Sequence, residues 1–158
     1  MNNTVGAVPH FIQRRILHIV FASTSGHTEY VVDALTDSLK SAAPGWEVEA
    51  TIAEKTQPQD LLSGDVLLLA SSTWNTGGTE GQLNPHMWIL LHDKAKTLDL
   101  AGKPCACIGL GDHRYFYTAR AADHLQGSQE IRILCVRLPL VSLAHQGRAR
   151  ELSARRLE

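Results

Sequence analysis

The first group of residues that could bind a ligand is a loop of hydroxyl side chains and one glycine, Ser23-Thr24-Ser25-Gly26-His27-Thr28. It follows a short apolar run and precedes a segment with helical periodicity. Backbone N–H groups and hydroxyls can therefore converge at the positive end of a helix dipole, and a phosphate is the ligand that such a loop favours. The loop has no lysine, so it is not the phosphate loop of nucleotide triphosphatases, nor does it have the Gly-x-Gly-x-x-Gly turn. A capped helix with a polar turn is the alternative.

Two further loops carry aromatic residues close to predicted strand ends. Ser71–Gly78 contains Trp74, and Gly109–Tyr117 contains Asp112 and Tyr115. An aromatic side chain just beyond a buried strand can stack on a planar ligand, although each of them alone also fits ordinary packing. Together with the hydroxyl loop, they indicate a ligand with a flat ring system and a phosphate tail.

The elements that must position these loops alternate along the chain. Short apolar runs predict five strands: Ile16–Phe21, Trp46–Ile52, Asp65–Ala70, Pro104–Leu110 and Ile131–Leu138. Helical segments are predicted between them: one from Thr28 to Pro44, a short piece within Gln57–Gly64, Pro85 to about Thr97, Tyr117–Leu125 and, last, Ala144–Leu157. Ser71–Asn84 is predicted to be a long functional loop.

This alternation predicts an α/β fold with a doubly wound parallel sheet and helices on both faces. The second strand alternates apolar and polar residues, which is typical of a strand near the sheet edge. Ligands of such sheets bind beyond the carboxyl ends of the strands, where the strand order reverses. The three loops above follow the first, third and fourth strands, and so all lie at that end.

Composition sets the remaining limits. The chain has 158 residues and a formal net charge of -1, which favours one globular domain and neither nucleic acid nor membrane as a partner. No apolar run approaches the roughly 20 residues of a membrane span. We expect residues 1–15 to be a flexible leader and 16–158 to be the domain. The three cysteines are expected to be reduced buried thiols in a cytoplasmic protein, and no metal site is predicted.

The stretches Ser23–Tyr30, Asp65–Trp74 and Gly102–Tyr117 resemble the phosphate loop and the two flavin loops of flavodoxins. Their order and spacing match over roughly Ile16 to Val136, and no long-chain insertion interrupts the last predicted strand. The resemblance is to the short-chain branch of the family. It implies a flavodoxin-like sheet of five parallel strands in the order 2-1-3-4-5, with FMN as the cofactor.

The resemblance also implies roles for individual residues. Trp74 and Tyr115 would cover the two faces of the flavin, and Asp112 would meet its polar edge. The carbonyl of Asn75 would turn towards flavin N5. The complete set of expected cofactor-binding residues is Ser23, Thr24, Ser25, Gly26, His27, Thr28, Ser72, Thr73, Trp74, Asn75, Thr76, Gly111, Asp112, Tyr115 and Tyr117.

The function implied by the resemblance is one-electron transfer, with no catalytic residues. Such a carrier would be a cytoplasmic monomer that moves low-potential electrons from a reductase to an electron-accepting enzyme. The nearly neutral charge departs from the acidic surface expected of such a carrier. Alternatives are a flavodoxin-like NAD(P)H:quinone oxidoreductase, which transfers hydride, and a flavin-free interaction module. A receiver domain is excluded, since Ala22-Ser23 and Ala70-Ser71 stand where it needs acidic residues.

Overall fold

A computed structural model describes residues 14–76, 79–111, 121, 124–125, 135–137 and 141–142; for 75, 76, 79–81, 135–137 and 141–142 it describes the backbone. The strands are β1 (Arg15–Ala22), β2 (Trp46–Ile52), β3 (Val66–Thr76), β4 (Thr79–Leu83), β5 (Cys105–Gly111), β6 (Cys135–Arg137) and β7 (Val141–Ser142). The helices are α1 (His27–Ala42), a 3₁₀ turn (Pro58–Leu62) and α2 (Pro85–Trp88), which continues as a π-helical turn (Ile89–Lys94).

The main sheet is parallel, with the strand order β2-β1-β3-β5-β6. This is the predicted order 2-1-3-4-5, because β4 lies off that path as an antiparallel partner of β3. β2 lies at an edge of the sheet, as its alternating pattern predicts. β7 pairs in parallel with the far end of β5 and was not predicted.

The sheet has a hydrophobic core on each face, because successive residues of a strand point to opposite sides. On one face, Ile19, Phe21 and Leu68 pack with Val32 of α1. On the other face, the alternate strand residues pack with the helical residues that follow β4 and β5. Members of this second core include Val20, Leu67, Leu69, Met87, Leu90, Leu91, Ala121 and Leu125. The prediction of helices on both faces is confirmed.

The prediction that Ser71–Asn84 is a long loop is wrong. β3 continues past Ala70 to Thr76 and pairs with β4, with Thr73 opposite Leu83 and Thr76 opposite Thr79. Backbone hydrogen bonding to a neighbouring strand decides this extension, and the low apolar content of the segment gave no sign of it. Residues 77–78 lie outside the described residues.

Several other predictions lie partly outside the described residues. Ala121, His124 and Leu125 are helical, in agreement with the predicted helix Tyr117–Leu125. The leader, apart from residues 14 and 15, and the helix predicted for Ala144–Leu157 lie outside the described part of the chain. The predicted helix from Pro85 is confirmed, although its second half is π-helical, with the Ala95 N–H bonded to the Leu90 carbonyl.

The cysteines differ from one another. Cys107 is disulfide-bonded, so the expectation of reduced thiols is wrong for this residue. Burial raises the pKa of the Cys105 thiol to about 12, and nearby Lys103 lowers it only in part. Spacing along β5 predicts which face a cysteine occupies. Whether a second sulfur lies within reach depends on the tertiary arrangement.

Candidate functional site

The ends of three strands meet at the carboxyl edge of the sheet. Ala22, the last residue of β1, is in register with Ser71 of β3, and Ser71 is in register with Gly109 of β5. The loop after β1 and the second half of β3 therefore begin beside the end of β5, at the carboxyl edge of the sheet. The ends of the first, third and fourth predicted strands thus lie side by side, as the sequence predicts, while the third loop beyond Gly111 lies outside the described residues.

The loop after β1 contains buried hydroxyls that lack partners. Among the described side chains, the Ser23 Oγ and Thr28 Oγ1 atoms are buried and make no hydrogen bond. Leaving a buried hydroxyl unpaired costs about 1–3 kcal/mol, so such groups are normally satisfied. Thr36, two turns further along α1, is the third described side chain of this kind. Two unpaired groups in one short loop indicate that a ligand is their partner.

Helix α1 begins in this loop without a side-chain cap. Gly26 occupies the N-cap position with φ +81°, which glycine adopts without steric cost. The N-terminal N–H groups and the helix dipole of a 16-residue helix therefore face the loop and favour an anion. His27 and Ser25 are exposed, and the His27 Nδ1 lies 2.8 Å from the Ser25 Oγ. Neutral donors and one histidine thus surround the N-terminus of α1, and Glu29 lies in its first turn.

The β3–β4 hairpin carries the first aromatic residue of the site. Trp74 is half-buried and stands opposite Gln82 of β4. The preceding Thr73 hydroxyl accepts a hydrogen bond of 3.3 Å from the N–H of Ala121. The sequence predicted Trp74 in an irregular loop, whereas the structure holds its backbone in a strand.

Other predicted site residues are described less fully. Ser72 is half-buried on β3, and its carbonyl accepts from the N–H of Asn84 at 3.2 Å. Asn75 and Thr76 are described by their backbone, which continues β3, and Gly111 ends β5. Asp112, Tyr115 and Tyr117 lie outside the described residues, so their expected contacts stay predictions.

One residue of the site was missed by sequence reasoning. Asn84 follows β4 and has no exposed surface. Its Nδ2 donates to the Thr24 Oγ1 at 2.8 Å, and its Oδ1 accepts from the N–H of His86 at 3.0 Å. The available signal was an Asn-Pro pair ahead of a helical segment, which is typical of an N-cap, but nothing local predicted the contact with Thr24.

The described residues place no group of three or more metal-ligating side chains together. Within the same part of the chain, no helix is both long enough and apolar enough to cross a bilayer.

Comparison with known proteins gives consistent matches. The family model described as Flavodoxin matches residues 19–135. A protein of Bacillus subtilis named "Probable flavodoxin 2" is 27% identical over 134 residues, which are 84% of this chain and 84% of that protein. A flavodoxin of Nitratidesulfovibrio vulgaris is 30% identical over 109 residues, covering 68% of this chain and 70% of that one. The crystal structure of oxidised flavodoxin 2 from Bacillus cereus superimposes with a TM-score of 0.66 at 26% identity, covering 90% of this chain and 95% of that chain.

Proposed function

This chain belongs to the flavodoxin family, and on that premise we propose that it carries low-potential electrons from a reductase to an electron-accepting enzyme. As a flavodoxin it binds FMN and acts in electron transfer rather than as an enzyme. The hydride-transferring quinone reductase considered above is therefore not the function of this chain. The identity of the two partners and the residues that hold the cofactor belong to the proposal.

The phosphate of FMN fits the loop after β1. The observation that supports this is the pair of buried, unpaired hydroxyls of Ser23 and Thr28 beside an uncapped helix N-terminus. Hydroxyls can donate to phosphate oxygens, and helix N–H groups favour a negative group. We assign the phosphate to Ser23, Thr24, Ser25, Gly26, His27 and Thr28, with Ser72 and Thr73 at the rim.

The flavin ring is assigned to the loops beside this one. Trp74 lies on the β3–β4 hairpin and would cover one face of the ring, with Tyr115 on the other face. The backbone of Asn75 and Thr76 would follow the edge of the ring near N5. Gly111, Asp112 and Tyr117 would complete the binding site on the third loop.

When bound, FMN supplies the redox chemistry by accepting and releasing electrons one at a time. The chain's contribution is to bind the ring between apolar surfaces and exclude water, so that added negative charge on the ring is disfavoured. Trp74 is half-buried on the hairpin. Such a site would make the reduced cofactor a ready electron donor to a partner.

The first experiment compares FMN with riboflavin, which lacks the phosphate. Apoprotein is titrated with each flavin, and quenching of flavin fluorescence gives the two Kd values. We expect FMN to bind at least about 10-fold more tightly, because a hydrogen bond to a charged group contributes about 1.5–3 kcal/mol. Equal affinity for the two flavins would contradict the phosphate assignment.

The second experiment tests transfer between partners. An NADPH-dependent flavoprotein reductase serves as donor and cytochrome c as acceptor, with the FMN-loaded protein added in increasing amounts. We expect the rate of cytochrome c reduction to rise with carrier concentration. Anaerobic photoreduction should also show a long-wavelength absorbance band that appears and then disappears, as two separate one-electron steps require. Failure to accelerate cytochrome c reduction would refute carriage between partners.

We further propose that the protein works as a monomer in the cytoplasm. Cell fractionation tests the compartment. We expect the protein in the cytoplasmic fraction, and its recovery in another fraction would contradict the proposal. The sedimentation coefficient of the FMN-loaded protein tests the oligomeric state, and a value typical of a dimer would contradict the proposal.

A further inference from the structure

Asn84 is a junction between the phosphate loop and the β3–β4 hairpin. Its backbone N–H donates to the Ser71 Oγ and to the Ser72 carbonyl, both at 3.2 Å. Its side chain bonds on one side to the N–H of His86 and on the other to the Thr24 hydroxyl, 60 residues away in sequence. A fully buried amide with all these partners holds one orientation.

The partners of Asn84 determine the direction of each hydrogen bond. The N–H of His86 can only donate, so the side-chain oxygen of Asn84 must face it. The amide nitrogen then faces Thr24 and can only donate. Consequently, the Thr24 oxygen accepts at 2.8 Å, and its single hydroxyl hydrogen must point elsewhere. Thr24 is exposed in the loop, so that hydrogen is available to a ligand.

We propose that Asn84 is a positioning residue that orients the Thr24 hydroxyl as a hydrogen-bond donor to the FMN phosphate. The inference rests on the proposed phosphate site and adds a residue that contacts no part of the cofactor. By accepting from Asn84, Thr24 is preorganised as a donor before the ligand arrives, which lowers the ordering cost of binding. Asn84 also links this donor to β3, because its N–H donates to the carbonyl of Ser72, two residues before Trp74. The two parts of the site are therefore connected.

The test separates the Thr24 contact from the helix cap. Asn84→Ser keeps an oxygen that can accept from the N–H of His86 but cannot reach Thr24, whereas Asn84→Ala removes both interactions. Thr24→Val removes the hydroxyl at nearly constant volume. For each variant and for Asn84→Ser/Thr24→Val, Kd is measured for FMN and for riboflavin, and unfolding of the apoprotein is followed in urea.

We expect Thr24→Val to weaken FMN binding about 10-fold or more, and Asn84→Ser to weaken it about 3- to 10-fold. Neither variant should change the riboflavin Kd by more than about 2-fold, because riboflavin has no phosphate to accept the bond. In the double variant, the loss should equal that of Thr24→Val alone, since Asn84 acts through that hydroxyl. Asn84→Ala should match Asn84→Ser in its ratio of FMN to riboflavin affinity while being less stable.

Different failures point to different errors. Additive losses in the double variant, or equal losses for FMN and riboflavin in Asn84→Ser, would overturn the positioning role and leave Asn84 a structural residue. Wild-type protein that binds FMN and riboflavin equally would instead overturn the phosphate site itself.

Discussion

Two groups of polar residues at opposite ends of the parallel sheet differ in their hydrogen bonding. At the amino end, the Lys103 ammonium donates to the carbonyls of Leu62, Ser63 and Gly64, and the Asp65 carboxylate accepts from the N–H of Ile16 at 2.7 Å. At the carboxyl end, the buried hydroxyls of Ser23 and Thr28 in the loop after β1 have no partner. Polar groups that saturate one another stabilise the fold, whereas those left unpaired at one edge are available to a ligand. The predictions below test this contrast.

The largest expected effect is at the amino end. Gly64 has φ +68°, and an added Cβ would lie 2.9 Å from the Ile16 carbonyl oxygen. Gly64→Ala therefore combines an unfavourable backbone conformation with a steric clash, and we expect a loss of about 3 kcal/mol in the free energy of unfolding. Urea unfolding measures it.

Gly102→Ala is the matched control for that variant. Gly102 has φ +84° but nothing within 4 Å of an added Cβ, so its substitution should cost only about 1 kcal/mol. Both variants should retain the wild-type ratio of FMN to riboflavin affinity. A changed affinity ratio in Gly64→Ala would show that the amino end of the sheet also influences FMN binding.

At the carboxyl end, Thr28→Val should weaken FMN binding about 10- to 100-fold, through loss of a hydrogen bond to a charged group. The apoprotein should be as stable as wild type or more stable, because the unpaired hydroxyl is removed from a buried position. Fluorescence titration and urea unfolding measure the two effects.

Thr36→Val provides the control on the same helix. The Thr36 hydroxyl is also buried and unpaired but lies outside the loop. We expect the same effect on apoprotein stability and no change in FMN affinity. Equal loss of affinity in both variants would show that packing of α1, rather than the loop hydroxyls, controls binding.

A smaller effect concerns the Cys105 thiol at the amino end of β5. Its pKa is raised from 9.0 to about 12 by burial, so the folded state holds its proton more tightly than the unfolded state. The stabilisation is therefore complete below pH 9 and is lost as pH rises towards 12. Between pH 8 and pH 10 wild type should lose about 1 kcal/mol more than Cys105→Ala, measured by urea unfolding at each pH. Parallel pH profiles would contradict a protonated, buried thiol.

The smallest expected effect is electronic. Asn75→Gly should widen the separation of the two one-electron potentials of bound FMN, because glycine adopts positive φ at no steric cost and so lets the peptide turn towards N5. Redox titration measures the separation. An unchanged or smaller separation would refute the assigned role of Asn75. As a control, the ratio of FMN to riboflavin affinity should stay the same, because the substitution lies outside the proposed phosphate site.

Much of this architecture could be predicted because its signals are local. Val20 and Ile19 belong to an apolar run buried on both faces, and Thr28 begins the apolar spacing of α1. The β3–β4 hairpin could not be predicted in the same way, since its residues are polar and its stability comes from pairing between strands. Recognition of the three loops depended on residue types within each loop, which the sequence displays directly.

Residue order alone determined the apolar strands and the helices between them, and that a hydroxyl loop follows the first strand. The tertiary structure decided which of those hydroxyls stay unpaired, that Asn84 reaches Thr24 across 60 residues, and that Lys103 binds three carbonyls at the amino end of the sheet. The physical reason is that periodicity and helix signals depend on neighbours in the chain. The pairing of a donor with an acceptor depends on groups that only folding brings together.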